Sequence, residues 1–506
     1  MIARHFKIVL LGATTIAMLA CTKERKENMN LNIHLPDVNL QIDPQKMEDA
    51  FSMMIAMQLH RGLFRYNQNG DVLTDLAESW RESDDHLSYT VKLKNLNFSN
   101  GKKITATHVQ MSLARLFYLG SSMAADIDVI SGADEFKKSW DLKKFGVKVK
   151  NESEVQISLS HPSALFLKQL AVVDCAILDI EDFKSNPNLS VLGGFSGPYK
   201  LKKTEISKYT LEKWRKDSID SARPPLLISF FATKESPISL AMTDQTDSLD
   251  TDKVDADSTV KLKKMGWVSS PTELTYESFV ILNPKFVPFE VRRELYYKID
   301  QKHLVKTLGD QKLIPAFGLI PDGFYGAIFE KPILEQNYKP YDGKKVSFVL
   351  DYLAGSEFDK KLAEYLKEKW TTDRIEVVLT EFSRGEKLTR MFSKTAEATV
   401  SRKGTDYPDG YSVLTYFKGK YESNYFHVDD SKIDEMIASA AKEFSQEKRS
   451  RMYQDIQKSI LAHYTNIPLY FGTPASGLWS DKVETIPAHP LGFHTMPFET
   501  ILMRSN

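Results

Sequence analysis

Histidine and cysteine are the side chains best able to ligate metals or act as nucleophiles near neutral pH. This 506-residue chain has eleven of the first and two of the second. The histidines are scattered, and the nearest pair, His489 and His494, brackets a Pro490-Leu-Gly-Phe loop with no zinc-site spacing. Cys21 and Cys175 rule out a disulfide scaffold and any Cys-built metal site, and Cys175, set in the apolar run 170–178, reads as an inert core thiol. There is no Gly-x-x-x-x-Gly-Lys-Ser/Thr loop, no Gly-x-Ser-x-Gly elbow and no His-Glu-x-x-His. Acid–base carboxylates need no local signature, but the motif-bearing enzyme classes drop out. The chain is read as a non-enzyme with no metal and no cofactor.

The remaining composition is that of large folded units. Apolar residues make up 42% and charged residues 26%, which excludes wholesale disorder. At roughly 150 residues per domain there is room for about three domains or two large lobes. Lys plus Arg and Asp plus Glu both total 67, so no net field recruits nucleic acid or an anionic membrane surface. Beyond residue 20 no run approaches the ~20 apolar residues of a membrane span. Ahead of it, Arg4, His5 and Lys7 precede the apolar run 8–20, too short for a ~30 Å hydrocarbon core and suited to a secretory signal peptide. Ala17-Met18-Leu19-Ala20-Cys21 resembles the bacterial lipoprotein cleavage box. That implies removal of residues 1–20, a lipidated Cys21, and a polar tether over 21–30.

Periodicity places the elements along the body. Residues 31–35 alternate as a first strand; Met53, Ile55, Ala56 and Leu59 lie on a helix ending near Gly62. Asn67-Gln-Asn-Gly70 closes a hairpin between 63–66 and 72–73, and 89–93 is a cleanly alternating strand. Thr105 is a helix N-cap, with His108 in the place where a capping box prefers Glu, read as a surface helix residue. Residues 155–159 form a strand and 162–170 a short helix. The Gly193-Gly194-Phe-Ser-Gly197-Pro198 turn launches strands at 199–201 and 209–213. The acidic stretch 244–257 reads as a solvated loop. Helices follow at 290–299 and 301–308, then a Pro/Gly-rich loop at 315–326. The run 346–379 reads strand–helix–strand, a right-handed crossover onto a parallel sheet. Two amphipathic helices, with Ser445 as the cap between them, and an apolar strand at 467–471 complete the body.

Several of these segments together resemble the extracytoplasmic solute-binding proteins of ABC transporters, in the oligopeptide- and dipeptide-binding family (solute-binding protein family 5). The segments are, in order, Leu59-His-Arg-Gly-Leu-Phe-Arg-Tyr66, Asn69-Gly70, Leu76-Ala-Glu-Ser-Trp80, Tyr89-Thr-Val-Lys-Leu93, Phe98-Ser-Asn-Gly101 and Thr105-Ala106. They continue with Gly197-Pro198-Tyr199, Leu282-Asn283 with Pro288-Phe289 and Arg292, Asp406-Tyr-Pro-Asp409, and Ile467-Pro-Leu-Tyr470. The resemblance implies an α/β, two-lobed periplasmic-binding-protein (clamshell) fold with an extra inserted α+β domain. In that scheme 31–58, 182–278 and 480–506 form the first lobe, 59–181 the inserted domain and 279–479 the second lobe. It also implies a cargo of peptide or a peptide-like small solute, an ABC permease as membrane partner, and a monomer held by its lipid anchor on the periplasmic side of a bacterial envelope. A metal chelate, an oligosaccharide or a cell-wall peptide is the alternative cargo; a sensory or structural lipoprotein without transport is the alternative role.

A peptide enclosed between lobes brings a cationic amine, an anionic carboxylate and unsatisfied amides out of water, and each buried charge must find a partner. Backbone amides are met by strand addition, blind to side-chain identity. The resemblance assigns the amine to Asp406, and Glu48 falls where some peptide binders of the family have a pocket-lining carboxylate, though it reads equally as a solvated acid. Arg402 and Lys403 depart from the family pattern, standing where members often carry a Gly-Trp-like pair, and with Tyr407 are taken as further ligand-binding residues. Read from the residues alone, Asp406 is equally a turn aspartate bonding its own backbone. Arg402 either forks a ligand carboxylate or pairs with a neighbouring acid. Lys403 would repel an amine unless it points away. Gly410 is expected to loosen the turn, and Glu294, in place of a small residue, to be met by local repacking.

Overall fold

The structure, a computed structural model, describes residues 29–35, 41–47, 49–184, 193–217, 219–250, 254, 256–269, 276–309, 313–419, 425–472, 477–489, 491–492 and 495–505. Among these the chain forms two lobes with an α+β insertion. In the first lobe, Asn30–Leu35 pairs in parallel with Leu227–Ala232, which continues antiparallel through Lys208–Lys213 to Tyr199–Glu205. Leu31, Ile33 and Leu35 alternate inward onto helix Ala50–Leu59, whose N-cap Asp49 accepts from the amides of Phe51 and Ser52. The insertion is a four-stranded antiparallel sheet, Ala77–Glu82, Ser88–Leu93, Glu154–Ser158 and Val147–Asn151, packed on helix Ala106–Leu119. The hairpin Phe64–Tyr66/Val72–Thr74 precedes it, its turn closed by Gly70 at φ 81°.

The second lobe is built on a six-stranded mixed sheet in the order 314–315, 466–471, 277–282, 398–403, 346–353, 375–382. Val346–Leu353, helix Glu357–Trp370 and Ile375–Phe382 make the expected parallel crossover. Asn466–Phe471 and Glu277–Leu282 are buried along their whole length, as central strands covered on both faces must be. Ser445 caps helix Gln446–Leu461 by accepting from the Lys448 amide.

Strand pairing moves two expected boundaries. Glu277 and Ser278 already pair with Lys403 and Arg402, so the outgoing crossing lies ahead of Glu277 rather than at 278/279. Gly477–Trp479 pairs with Ser248–Asp250 and Val268–Ser269 of the first lobe, so the return falls before Gly477 rather than at 480. Other readings are corrected by burial. Within 162–170 only Phe166–Leu170 is helical. Among the described residues of 244–257, the part around Asp247 is not a solvated loop: Asp247 is 1% exposed and accepts from the Asn32 amide at 2.7 Å, Ser480 Oγ at 2.8 Å and Lys482 Nζ at 2.9 Å, tying three chain segments together. His108 is buried, and its Nδ1 accepts from the Thr105 amide at 3.1 Å, doing the work that Glu does in a capping box. Glu294 is also more than a repacked residue, because its buried carboxylate accepts from the Tyr341 amide and the Tyr338 hydroxyl and holds the 338–341 loop.

The Gly197-Pro198-Tyr199 turn is fixed by close approach. The Gly197 amide donates to Leu59 O at 2.8 Å, and a Cβ at Gly197 would stand 2.5 Å from the Leu59 carbonyl carbon and 2.6 Å from Gln58 O. Both neighbours are backbone at a helix end. Gly197→Ala should therefore cost about 1–3 kcal/mol in thermal or urea unfolding. Gly385→Ala, in helix Arg384–Phe392 with nothing within 4 Å of the new methyl, should be neutral or stabilising by up to about 1 kcal/mol. Equal effects at the two positions would contradict the close-approach account.

Candidate functional site

The central strand Ala398–Lys403 delivers its last residues to the edge of the second lobe, and residues 404–409 loop from there into helix Gly410–Leu414. Successive side chains of a strand leave opposite faces, and this separates the two cations. Arg402 turns to helix Glu357–Trp370, where its guanidinium pairs with Asp359, lies over the Phe358 ring (5.4 Å to centroid) and reaches Tyr470 Oη at 3.4 Å. Of the two roles open to Arg402 the structure selects the pair with a neighbouring acid; it is not placed to fork a ligand carboxylate. Lys403 leaves the other face and sits 2.8 Å from the centroid of the Tyr416 ring, its pKa drawn down to about 8 by burial against the opposing pull of Asp406 and Asp126.

The two aspartates of Asp406-Tyr-Pro-Asp409 have opposite fates. Asp409 is wholly buried: its carboxylate caps the next helix at the Tyr411 amide (3.0 Å), accepts from Tyr453 Oη (2.8 Å), and meets Lys168 Nζ (3.0 Å) and Arg449 (3.8 Å). Lys168 belongs to the insertion, so this pair bridges the lobes, and its ammonium also donates to Pro408 O at 2.9 Å. The Ala164 amide donating to Ala441 O and the stacked rings of His86 and Phe444 join the same two bodies. Asp406 is exposed. Its amide donates to Ser412 Oγ at 2.9 Å, the Tyr416 hydroxyl donates to its carboxylate, and the carboxylate faces a crevice of about 630 Å³.

That crevice lies between the lobes. Met57, His489 and Pro497 come from the first lobe, Arg65, Tyr66 and Val173 from the insertion side, and Asp406 from the second lobe. Desolvation dominates its electrostatics. Asp126 and Asp174, both within the field of Asp406, are pushed up to about 7, by burial first and by Asp406 next. His60 and His489 are held down to about 4 by burial and are neutral at pH 7. No group of three His, Cys, Asp or Glu side chains among the described residues is arranged to hold a metal ion.

Of the sequence-derived site residues, Asp406 and Lys403 are thus brought together. Tyr407 is not a crevice residue: it is 0% exposed and packed in the core, because the turn that presents Asp406 outward sends its neighbour inward. Gly410 does not loosen the turn. It opens a helix where a Cβ would stand 2.6 Å from Ile320 Cδ1 and 2.7 Å from Tyr325 O, so glycine is there for space. Glu48 and Cys21 lie outside the described residues. Sequence reading missed Lys168, Asp126 and Asp174, which stand on other elements and carry no local signal. It also missed Glu277, opposite Lys403 in the sheet, whose buried carboxyl has an unpartnered Oε1 among the described residues and lines a second cavity of about 340 Å³ with Thr405 and Tyr416.

Comparison with known proteins follows the same lines. The family model of bacterial extracellular solute-binding proteins, family 5 (middle), matches residues 71–425. The chain is similar to the probable D,D-dipeptide-binding periplasmic protein DdpA of Escherichia coli K12, 22% identical over 463 residues, covering 83% of this chain and 85% of that one. It is similar over a shorter stretch to the dipeptide-binding protein of Lactococcus lactis subsp. cremoris, 31% identical over 163 residues, covering 31% of this chain and 29% of that one. Among solved structures, the murein tripeptide binding protein MppA of Escherichia coli superposes with a TM-score of 0.78 at 18% identity, covering 94% of this chain and 99% of that one. OppA of Listeria monocytogenes bound to peptide gives 0.74 at 19% identity, covering 95% and 100%. At these identities the likeness is one of fold, the two-lobed α/β architecture.

Burial raises the Glu277 carboxyl well above its ordinary value, so the folded chain holds this proton to a higher pH than the unfolded chain does. A raised carboxyl pKa destabilises the fold as pH climbs above the unfolded value. Glu277→Gln should raise the melting temperature at pH 8 by on the order of 2 °C and leave it nearly unchanged at pH 4. A difference between variant and wild type that does not vary with pH would remove the neutral assignment.

Proposed function

The chain belongs to the bacterial extracellular solute-binding proteins of family 5, and from that premise we propose that it captures a short peptide between its lobes and passes it to an ABC-type permease. The observation that carries this reading is the placement of Asp406: an exposed carboxylate, oriented by Tyr416 and Ser412, facing an inter-lobe crevice. A peptide's amine placed there exchanges water for a carboxylate in a half-dry gap, where the attraction is much stronger than in bulk solvent. Asp126 and Asp174 add negative potential as they ionise. The named binders of peptides among its relatives and fold neighbours support the choice of cargo.

In this reading the first lobe and insertion on one side, and the second lobe on the other, rotate about the two chain crossings that join them. Ligand touches both sides only when they are shut, and that differential contact drives closure. The Lys168–Asp409 pair and the Ala164–Ala441 hydrogen bond are contacts of the shut form, made whenever the lobes meet. Lys403, over the Tyr416 ring whose hydroxyl donates to Asp406, stays in the field of that carboxylate. In the same reading, cleavage before Cys21 and its lipidation would anchor the protein on the periplasmic side of a bacterial envelope, as a monomer on a polar tether, with no chemistry performed on the cargo.

A ligand that binds only the folded state raises its stability by RT ln(1 + [L]/Kd), about 2.7 kcal/mol at a hundredfold excess over Kd. Short peptides with free amines should shift the melting temperature accordingly. Asp406→Asn should weaken those peptides by about tenfold or more while leaving N-acetylated peptides where they are. An equal response of mutant and wild type to both peptide sets would unseat Asp406 as the amine anchor. Mass spectrometry of solute carried through purification should find a peptide; a sugar or a metal chelate there would replace the cargo but not the fold.

A further inference from the structure

Helix Phe166–Leu170 of the insertion turns one side chain toward the second lobe. Phe166, against the Tyr89 ring at 5.3 Å between centroids, and Leu170 are buried. At about 100° per residue Lys168, midway between them, leaves the opposite side of the helix. Its ammonium lies 3.0 Å from Asp409 Oδ2 and donates to Pro408 O at 2.9 Å, so it grips the 404–409 loop at two points. The carbonyl of the same residue accepts from the hydroxyl of Tyr66, which lines the crevice with Asp406. One residue thus ties a crevice wall on the insertion side to the loop that presents Asp406 from the other lobe.

The pair is asymmetric. Asp409 is wholly buried, but the Tyr411 amide, Tyr453 Oη and Arg449 reach it from its own lobe. Parting the lobes therefore removes Lys168 alone. Asp409 keeps donors and a cation, while the lysine side chain, already 20% exposed, returns to water. The heavy penalty of stranding a buried carboxylate is avoided, and the contact is free to form and break with the lobes. The other bridges carry less. The Ala164 amide meets Ala441 O at 3.1 Å in a bond between uncharged groups, and the His86 stack rests on an exposed Phe444.

We propose that Lys168 is a closure latch, whose grip on Pro408 and Asp409 adds a guest-independent share to the holding of any solute shut between the lobes. The inference rests on the peptide-capture reading above and adds a positioning residue to it: Lys168 acts on the loop and does not line the crevice. Latch and guest contacts are both made in the shut form, so their free energies add. Losing the latch weakens every guest by one common factor, through faster release rather than slower capture.

The test is isothermal titration of the full folded protein with trialanine and N-acetyl-trialanine, using wild type, Lys168→Met and Lys168→Arg. Lys168→Met should weaken both peptides by the same factor, about tenfold, and Lys168→Arg should restore most of the loss. At saturating trialanine, hydrogen exchange of the Ala164 amide, whose acceptor lies on the other lobe, should be faster in Lys168→Met than in wild type. Unchanged affinity for both peptides overturns the latch. So does weakening of one peptide alone, which would make Lys168 a contact of the guest. If wild type binds neither peptide, the peptide reading falls, and Ala164 exchange in the guest-free protein decides the latch: exchange about threefold or more faster in Lys168→Met keeps it, and equal rates remove it.

Discussion

A carboxylate with no exposure to water needs donors and a cation around it, and Asp409 is where this fold meets that need with groups from two bodies. Its four partners fix the 404–409 loop against helix Gln446–Leu461 and against the insertion. Asp409 absorbs those partners, and Asp406, three residues away, turns its carboxylate to the crevice with the Tyr416 hydroxyl as its partner among the described residues. One aspartate is consumed to hold the position and the other stays exposed. Two acids of one type in one short loop are thereby given different work by environment alone.

The crevice carries charged groups of both signs, Asp406 and Asp75 against Arg61 and Arg65, among aliphatic and aromatic side chains, and Lys94 and Lys216 line the adjoining groove. Asp126 and Asp174 lie within the field of Asp406. His60 and His489, neutral at pH 7, add no charge to its walls.

Local rules explain how much of this was readable in advance. Thr105 and Ser445 were visible as caps because a cap needs only its own next turn, and the 346–379 crossover because its strands are covered by a helix of matching period. The site was partly visible: Asp406 stood out through the motif around it. Arg402 and Tyr407 did not sort correctly, since in a strand or turn a shift of one residue reverses the face, and sequence does not say which face looks to the gap. His108, Asp247 and Glu294 looked like surface residues because their types are usually exposed. Each is buried on a partner that local sequence does not display.

By itself, then, the sequence determined most of the elements and their caps, which follow from periodicity and turn chemistry, while its resemblance to a known family, carried by motifs in order along one chain, implied the two-lobed plan and pointed to the segment that holds Asp406. Tertiary structure alone decided that Arg402 is spent on Asp359, that Lys168 closes on Asp409 across the lobes, and that Arg65 shares a crevice with Asp406 from more than three hundred residues away in the chain. Charge acts through space over a few ångströms, and which charges come that close is set by the packing of sheets rather than by their order in the chain.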